Sequence, residues 1–120
     1  MLVNYRSDYE KIAMGLLSFV PELKPLARLQ QEMQWHLKSE SRPVYLWRDE
    51  DDHFIGIGCC EVGEDYVLIR RLSFTPTNRT GRDIFGLLSA ISDKYPGKRL
   101  MGTLETQPIV TNWRRMQHGQ

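Results

Sequence analysis

"SFTPTNRTGRDIFGLLSAI" (residues 73–91) ends one element and opens another. It begins as a strand end, turns at Pro76, crosses a short Arg- and Gly-containing loop and enters an apolar helix. A strand, a loop and a helix N-terminus in that order leave free amides and a partial positive charge, where an anion can sit. Such loops are normally rich in glycine, yet Arg82, Asp83 and Ile84 stand where the backbone would need to lie bare. At this point three readings remain open: a working phosphate cradle, a decayed one, or a turn. Downstream, Ile84, Leu87, Leu88, Ile91 and Tyr95 recur at helical spacing, and Pro96-Gly97 stops them. "KRLMGTL" (residues 98–104) then reads as a strand. A strand–helix–strand step across residues 66–104 implies a parallel, right-handed crossover.

Upstream, "LVNY" is a short opening strand, and Ser7-Asp8-Tyr9-Glu10 reads as a capping box for a helix that Pro21 stops. Pro25 opens a second helix with Leu26, Leu29, Met33 and Leu37 as its apolar stripe; Trp35 and His36 lie off it. "RPVYLWRDEDDHFIGIGCCEV" (residues 42–62) reads as a hairpin turning at the acidic run, and "YVLIRRLSF" as a third meander strand. In the return strand Gly56, Gly58 and Cys60 share one face, bare enough for another backbone or a ligand to approach. Arg70 and Arg71 are adjacent and cannot both face water in a regular strand. Either one enters a cleft or a bulge rotates the chain between them. After the fourth main strand, Thr106 or Gln107 caps a last helix whose inner side carries Ile109, Val110, Trp113 and Met116. The expected fold class is α/β in one domain spanning residues 1–120. Its order is strand, two helices, antiparallel three-strand meander, helix, strand, helix, giving a mixed sheet with helices on both faces.

Of the 120 residues, 41% are hydrophobic and 26% charged, which excludes a disordered chain and sets one core. No apolar run approaches a membrane span, and "MLVNYRSDYE" lacks a signal-peptide pattern, so a cytoplasmic, non-membrane protein is expected. Cys59 and Cys60 are neighbours that would point to opposite faces, which argues against a mutual disulfide. No CxxC or HxxxH spacing occurs, so no metal site is expected. His36, His53 and His118 fall on a helix flank, a turn and a tail, each expected at the surface. Net charge is only +1, but residues 49–65 hold seven acids without a Lys or Arg. Residues 66–99 hold seven bases against two acids, a locally positive field that suits a small polyanion. The acidic hairpin beside it argues against nucleic acid.

This order, with Pro76 ending the third meander strand and Arg79 three residues on, resembles the GNAT acyl-CoA N-acetyltransferase fold. "YEKIAMGLLSFVPE" (9–22), "LARLQQ" (26–31), "YLWRDEDD" (45–52) and "IRRLSFTPTNR" (69–79) look more closely like the small RibT-type acetyltransferases of riboflavin operons. The resemblance implies acetyl transfer from the co-substrate acetyl-CoA to a small amine acceptor. It implies a wedge in which the pantetheine arm lies against the backbones of Leu72, Ser73 and Phe74, the Phe74 amide facing the thioester carbonyl. It also implies a pyrophosphate on the amides of the loop, with Arg79, Thr80, Gly81, Arg82, Asp83 and Ile84 around it. The family's loop reads (Gln/Arg)-x-x-Gly-x-(Gly/Ala). One register puts Arg79 first and Arg82 and Ile84 at the small positions; the other puts Asn78 first and Gly81 and Asp83 there. Thr80 and Asp83 also read as a variant capping box, which would leave a capped surface helix without a ligand. "YVLIRRLSF" carries no carboxylate for a general base, so Glu61 on the preceding strand is the nearest candidate. The leaving-group acid that the family places early in the last helix falls near Val110, and is vacant. A catalytically degenerate GNAT-fold binding module is the rival reading. About a dozen residues follow Pro108, too few for a further hairpin, so a homodimer or a loosely formed acceptor side is expected.

Overall fold

The computed structural model describes residues 1–118, without the side chain of His118, which therefore lies outside the described residues. Five strands form one sheet in the order β1-β2-β3-β4-β5: β1 Leu2–Asn4, β2 Val44–Arg48, β3 Phe54–Val62, β4 Tyr66–Phe74 and β5 Arg99–Gly102. The first four pair antiparallel and β5 joins β4 parallel, as the crossover through α3 (Gly81–Lys94) requires. On one face, α1 (Glu10–Leu17) and α2 (Leu26–Leu37) cover Val44, Leu46, Ile57 and Cys59. On the other, α3 and α4 (Gln107–His118) cover Tyr45, Cys60, Val67 and Ile69. The period-two alternation of the strands is thus spent on two cores.

The bare face of β3 receives protein, not ligand. A Cβ on Gly58 would stand 3.4 Å from Leu87 and Ile91 of α3, and one on Gly56 would fall 2.4 Å from the Phe74 ring. Cys59 and Cys60 are fully buried and free, one in each core. The adjacent arginines are resolved by a bulge: Cys59 faces Arg71 and Cys60 faces Ile69, so Arg70 is the extra residue.

Three local expectations are corrected. Ser7 does not cap α1; residues Ser7–Tyr9 form a 3-10 turn, and Asp8 is taken by Arg6 at 2.8 Å. In α2 the buried stripe is Leu29, Met33 and His36, while Leu26 and Leu37 are exposed, because the helix turns its polar Glu32–His36 pair toward β4. Met116 is exposed rather than on the inner side of α4.

Candidate functional site

β4 and β5 pair only from Tyr66↔Arg99 to Ile69↔Gly102 and then part. The parting point is built by side chains of the α4 entry. Thr106 Oγ1 donates to the Ile69 carbonyl at 2.6 Å, and Gln107 Oε1 accepts from the Gly102 amide at 2.8 Å. A Cβ on Gly102 would lie 2.6 Å from the Gln107 nitrogen, so only glycine admits this close approach. Beyond it the edge of β4 from Arg70 to Phe74 faces a cleft of about 310 Å³. Its apolar wall comes from Phe19, Leu72, Phe74, Ile84 and Ile109. Ser73 is buried with its hydroxyl donated to the Leu16 carbonyl at 2.7 Å, so its side chain is not free for a guest. Arg79 Nε donates to the Phe74 carbonyl at 3.1 Å, folding its side chain back along the cleft. Leu72, Ser73, Phe74, Arg79 and Ile84 therefore meet at this wedge.

The loop after β4 makes a 3-10 turn over Pro76–Asn78 and then enters α3. Thr80 caps the helix: its Oγ1 accepts from the Asp83 amide and donates to Asp83 Oδ2. The Ile84 amide is taken by the Thr80 carbonyl. Among the described residues the amides of residues 79–82 have no hydrogen-bond partner. These four, together with the dipole of a 14-residue helix, are what the loop offers an anion. Arg82 does not block them. It extends outward to Glu50 at 2.8 Å. Asp83 turns its second oxygen to the Trp47 indole at 3.2 Å. Arg82 and Asp83 thus border a separate, wider hollow against the acidic β2–β3 turn, and Thr80 and Gly81 line neither cavity. Of Arg82, Asp83 and Ile84, only Ile84 lines the wedge.

Three of the seven bases of the locally positive segment are compensated in three dimensions by ion pairs. Arg82 pairs with Glu50, Arg71 with Glu22 at 3.0 Å and Glu32 at 3.5 Å, and Arg70 stands 3.8 Å from Glu32 and 3.9 Å from Glu61. Of the four arginines between residues 70 and 82, Arg79 alone lacks an ion pair among the described residues. His36, expected at the surface, is 1% exposed. Its Nδ1 faces the Arg42 carbonyl at 3.1 Å and its Nε2 faces Glu32 at 3.2 Å, so each ring nitrogen of this buried side chain has an oxygen beside it. The His36 bond, with Arg71 adding to it, outweighs burial and holds the Glu32 carboxyl down to about 2. Glu32 is therefore a fixed charge rather than a titrating base. His53 is exposed, as expected.

Glu61 is one-third exposed and lines neither the wedge nor the cavity beside it. Val110 is fully buried, and among the described residues no tyrosine or cysteine lines the wedge. Two carboxylates line the wedge: Glu105, just before α4, and Glu22, from the turn between α1 and α2, which also stands beside the bulge. The sequence reading missed Glu22 and Glu32. The i,i+4 spacing of Glu32 and His36, set against the adjacent Arg70-Arg71, was the available signal.

No family model matches the chain. The chain is 38% identical over 110 residues, 92% of each partner, to an uncharacterized N-acetyltransferase from the region 3′ of lysA in Bacillus methanolicus. Its fold superposes with a TM-score of 0.73 on an aminoglycoside N-acetyltransferase in complex with CoA, at 11% identity, covering 99% of this chain and 86% of that one. A histone acetyltransferase-related protein from Corynebacterium glutamicum superposes equally well, with a TM-score of 0.73 at 7% identity over 97% of this chain and 82% of that one. At such identities the superpositions establish the fold alone.

Proposed function

Because the chain belongs to the GNAT N-acetyltransferase family, we propose that it transfers an acetyl group from acetyl-CoA directly to an amine, with no covalent enzyme intermediate. The observation that carries the reading is the wedge: β4 loses its β5 partner after Ile69 while four consecutive amides, at residues 79–82, stand unpaired beyond its open end. A pantetheine arm fits the apolar cleft along Leu72 to Phe74, and the pyrophosphate fits the amides at the head of α3, with Arg79 as the uncompensated cation. Acetyl-CoA supplies the activated acyl group. The chain aligns it, with the Phe74 amide facing the thioester oxygen. Neighbours solved with CoA and with a CoA-linked bisubstrate analogue support the choice of co-substrate.

The finer assignment is to the RibT type, on the sequence stretches quoted above; placement of the gene in a riboflavin operon tests it. Cytoplasmic residence belongs to the same reading, and no helix among the described residues is long and apolar enough to cross a membrane. A second reading, a GNAT-fold binding module without turnover, is favoured by the wedge lining, which offers no tyrosine or cysteine to protonate a leaving thiolate. Calorimetric titration of acetyl-CoA into the wild type and Arg82→Gly/Ile84→Gly separates the cases. Binding by the wild type at tens of micromolar or tighter, ~6 kcal/mol or more, is expected. Binding that appears only once the glycines are present would mark the loop as decayed.

A further inference from the structure

Beside the wedge, across the bulge, lies a second open cavity of about 550 Å³ between α2 and β4. Glu22, Arg70 and Arg71 line both spaces, so a molecule in this cavity faces a thioester in the wedge across the same three side chains. Its remaining polar wall is Arg28, Gln31 and Glu32 of α2, with Trp35 beyond them. Glu32 is already spent on His36, Arg70 and Arg71. Glu22 is held by Arg71 through one oxygen, Oε2, and its carboxylate is half exposed.

The cations are not matched in the same way. The Arg28 side chain has no hydrogen-bond or ion-pair partner among the described residues. The Arg70 guanidinium lies 4.3 Å over the Trp35 ring, its Nε is buried without a hydrogen-bond partner, and both its carboxylates, Glu32 and Glu61, stand beyond hydrogen-bond range. A bare amine is a cation at neutral pH, and it would enter a wall of three arginines. An acceptor with an oxyanion of its own would fill the donors of Arg28 and Arg70.

We propose that this cavity takes the acceptor, and that the acceptor is an amine that also carries a carboxylate or phosphate: the oxyanion on Arg28 and Arg70, the ammonium at Glu22. The inference rests on the acetyltransferase reading. Glu22 takes one proton from the ammonium and passes it to solvent. The freed nitrogen attacks the thioester carbon, the C–N bond forms and the C–S bond breaks. The CoA thiolate leaves and takes, through solvent, the second proton that the nitrogen loses.

The test measures CoA release by the full chain with four amines at saturating acetyl-CoA. L-lysine is set against cadaverine, and phosphoethanolamine against ethanolamine; each pair differs only in the oxyanion. Acetyl-CoA binding is measured separately by calorimetry. The expected result is kcat/KM at least ~10-fold higher for the anion-bearing member of one pair, and which pair responds tells carboxylate from phosphate. Arg28→Gln should raise KM for that amine by about tenfold and bring the ratio toward one. Glu22→Gln should lower kcat for that amine while acetyl-CoA binding stays unchanged, a split that a merely structural role would not give. Equal or faster turnover of the anion-free amines overturns the inference, as does no turnover of any of the four by a chain that binds acetyl-CoA. Failure to bind acetyl-CoA at all overturns the transferase reading beneath it.

Discussion

Replacing Glu32 by glutamine keeps the length of the side chain and removes the charge on which His36, Arg70 and Arg71 converge. In the folded chain its carboxyl is lowered from 4.5 to about 2, chiefly by the His36 hydrogen bond. A depressed carboxylate adds stability that is fully present above its unfolded value and is lost as pH falls toward its folded value. The whole shift corresponds to about 3 kcal/mol, and water screening at a site open on one side reduces this to roughly 2 kcal/mol. Urea unfolding of wild type and Glu32→Gln at about pH 7 and about pH 3 measures it as a difference of differences. The variant should be less stable by roughly 2 kcal/mol at neutral pH, and less than half of that gap should survive at about pH 3. A gap of the same size at both pH values would show that the loss is one of packing or hydrogen bonding. No gap at neutral pH would show that the network contributes nothing.

Other expectations are independent of that network. Thr106→Val strips the donor from the Ile69 carbonyl at the parting of β4 and β5, and should cost about 1–3 kcal/mol in unfolding free energy; an unchanged urea midpoint would mean that solvent already serves that carbonyl. Asp83→Asn removes a negative charge beside the free amides of residues 79–82, so acetyl-CoA should bind about three- to tenfold more tightly at low salt, with the gain shrinking as salt is added. Weaker binding would mean that the cap matters more than the charge. Burial pushes the Cys60 thiol up to about 12 and Cys59 well above its ordinary value, so neither should react with Ellman's reagent until denaturant is added. Rapid labelling of the native chain would contradict this packing. The β5 edge carries exposed Met101, with exposed Leu104 in the turn after it, and a second copy paired along it predicts a dimer in sedimentation equilibrium; a monomer at all concentrations would exclude it.

Element order was legible because each boundary has a local cause: Pro21 and Pro25 between the first helices, Asp49 at the hairpin turn, Thr80 at the head of α3, Pro96-Gly97 at its end. The adjacent arginines of β4 announced an irregularity, and the bulge is that irregularity. The wedge was legible only through family resemblance, since no local pattern says where two strands part. It depends on Thr106 and Gln107 reaching back to Ile69 and Gly102 across a turn. The compensation of charge was illegible for the same reason. Sequence distance placed the basic segment apart from its carboxylates, while the fold brings Glu22, from the turn after α1, and Glu32, from α2, onto Arg71. Helical periodicity likewise marked Leu26 and Leu37 as core and His36 as surface. Hydrophobicity alone does not see that a histidine whose ring nitrogens both face oxygen partners can be buried while leucines at the helix ends stay exposed.

Strand order in this sheet is also chain order, β1 through β5. During synthesis each new strand finds the edge it needs already laid down beside it, so most of the sheet can assemble as the chain emerges from the ribosome. The cleft is the exception. Its apex needs β5 and the first turn of α4, which are made last. A nascent chain that has finished β4 but not yet Thr106 presents the whole β4 edge bare, the stage at which pairing with another nascent chain is easiest. The opening that the proposed function fills with a pantetheine arm is thus, during synthesis, a strand edge exposed to mispairing.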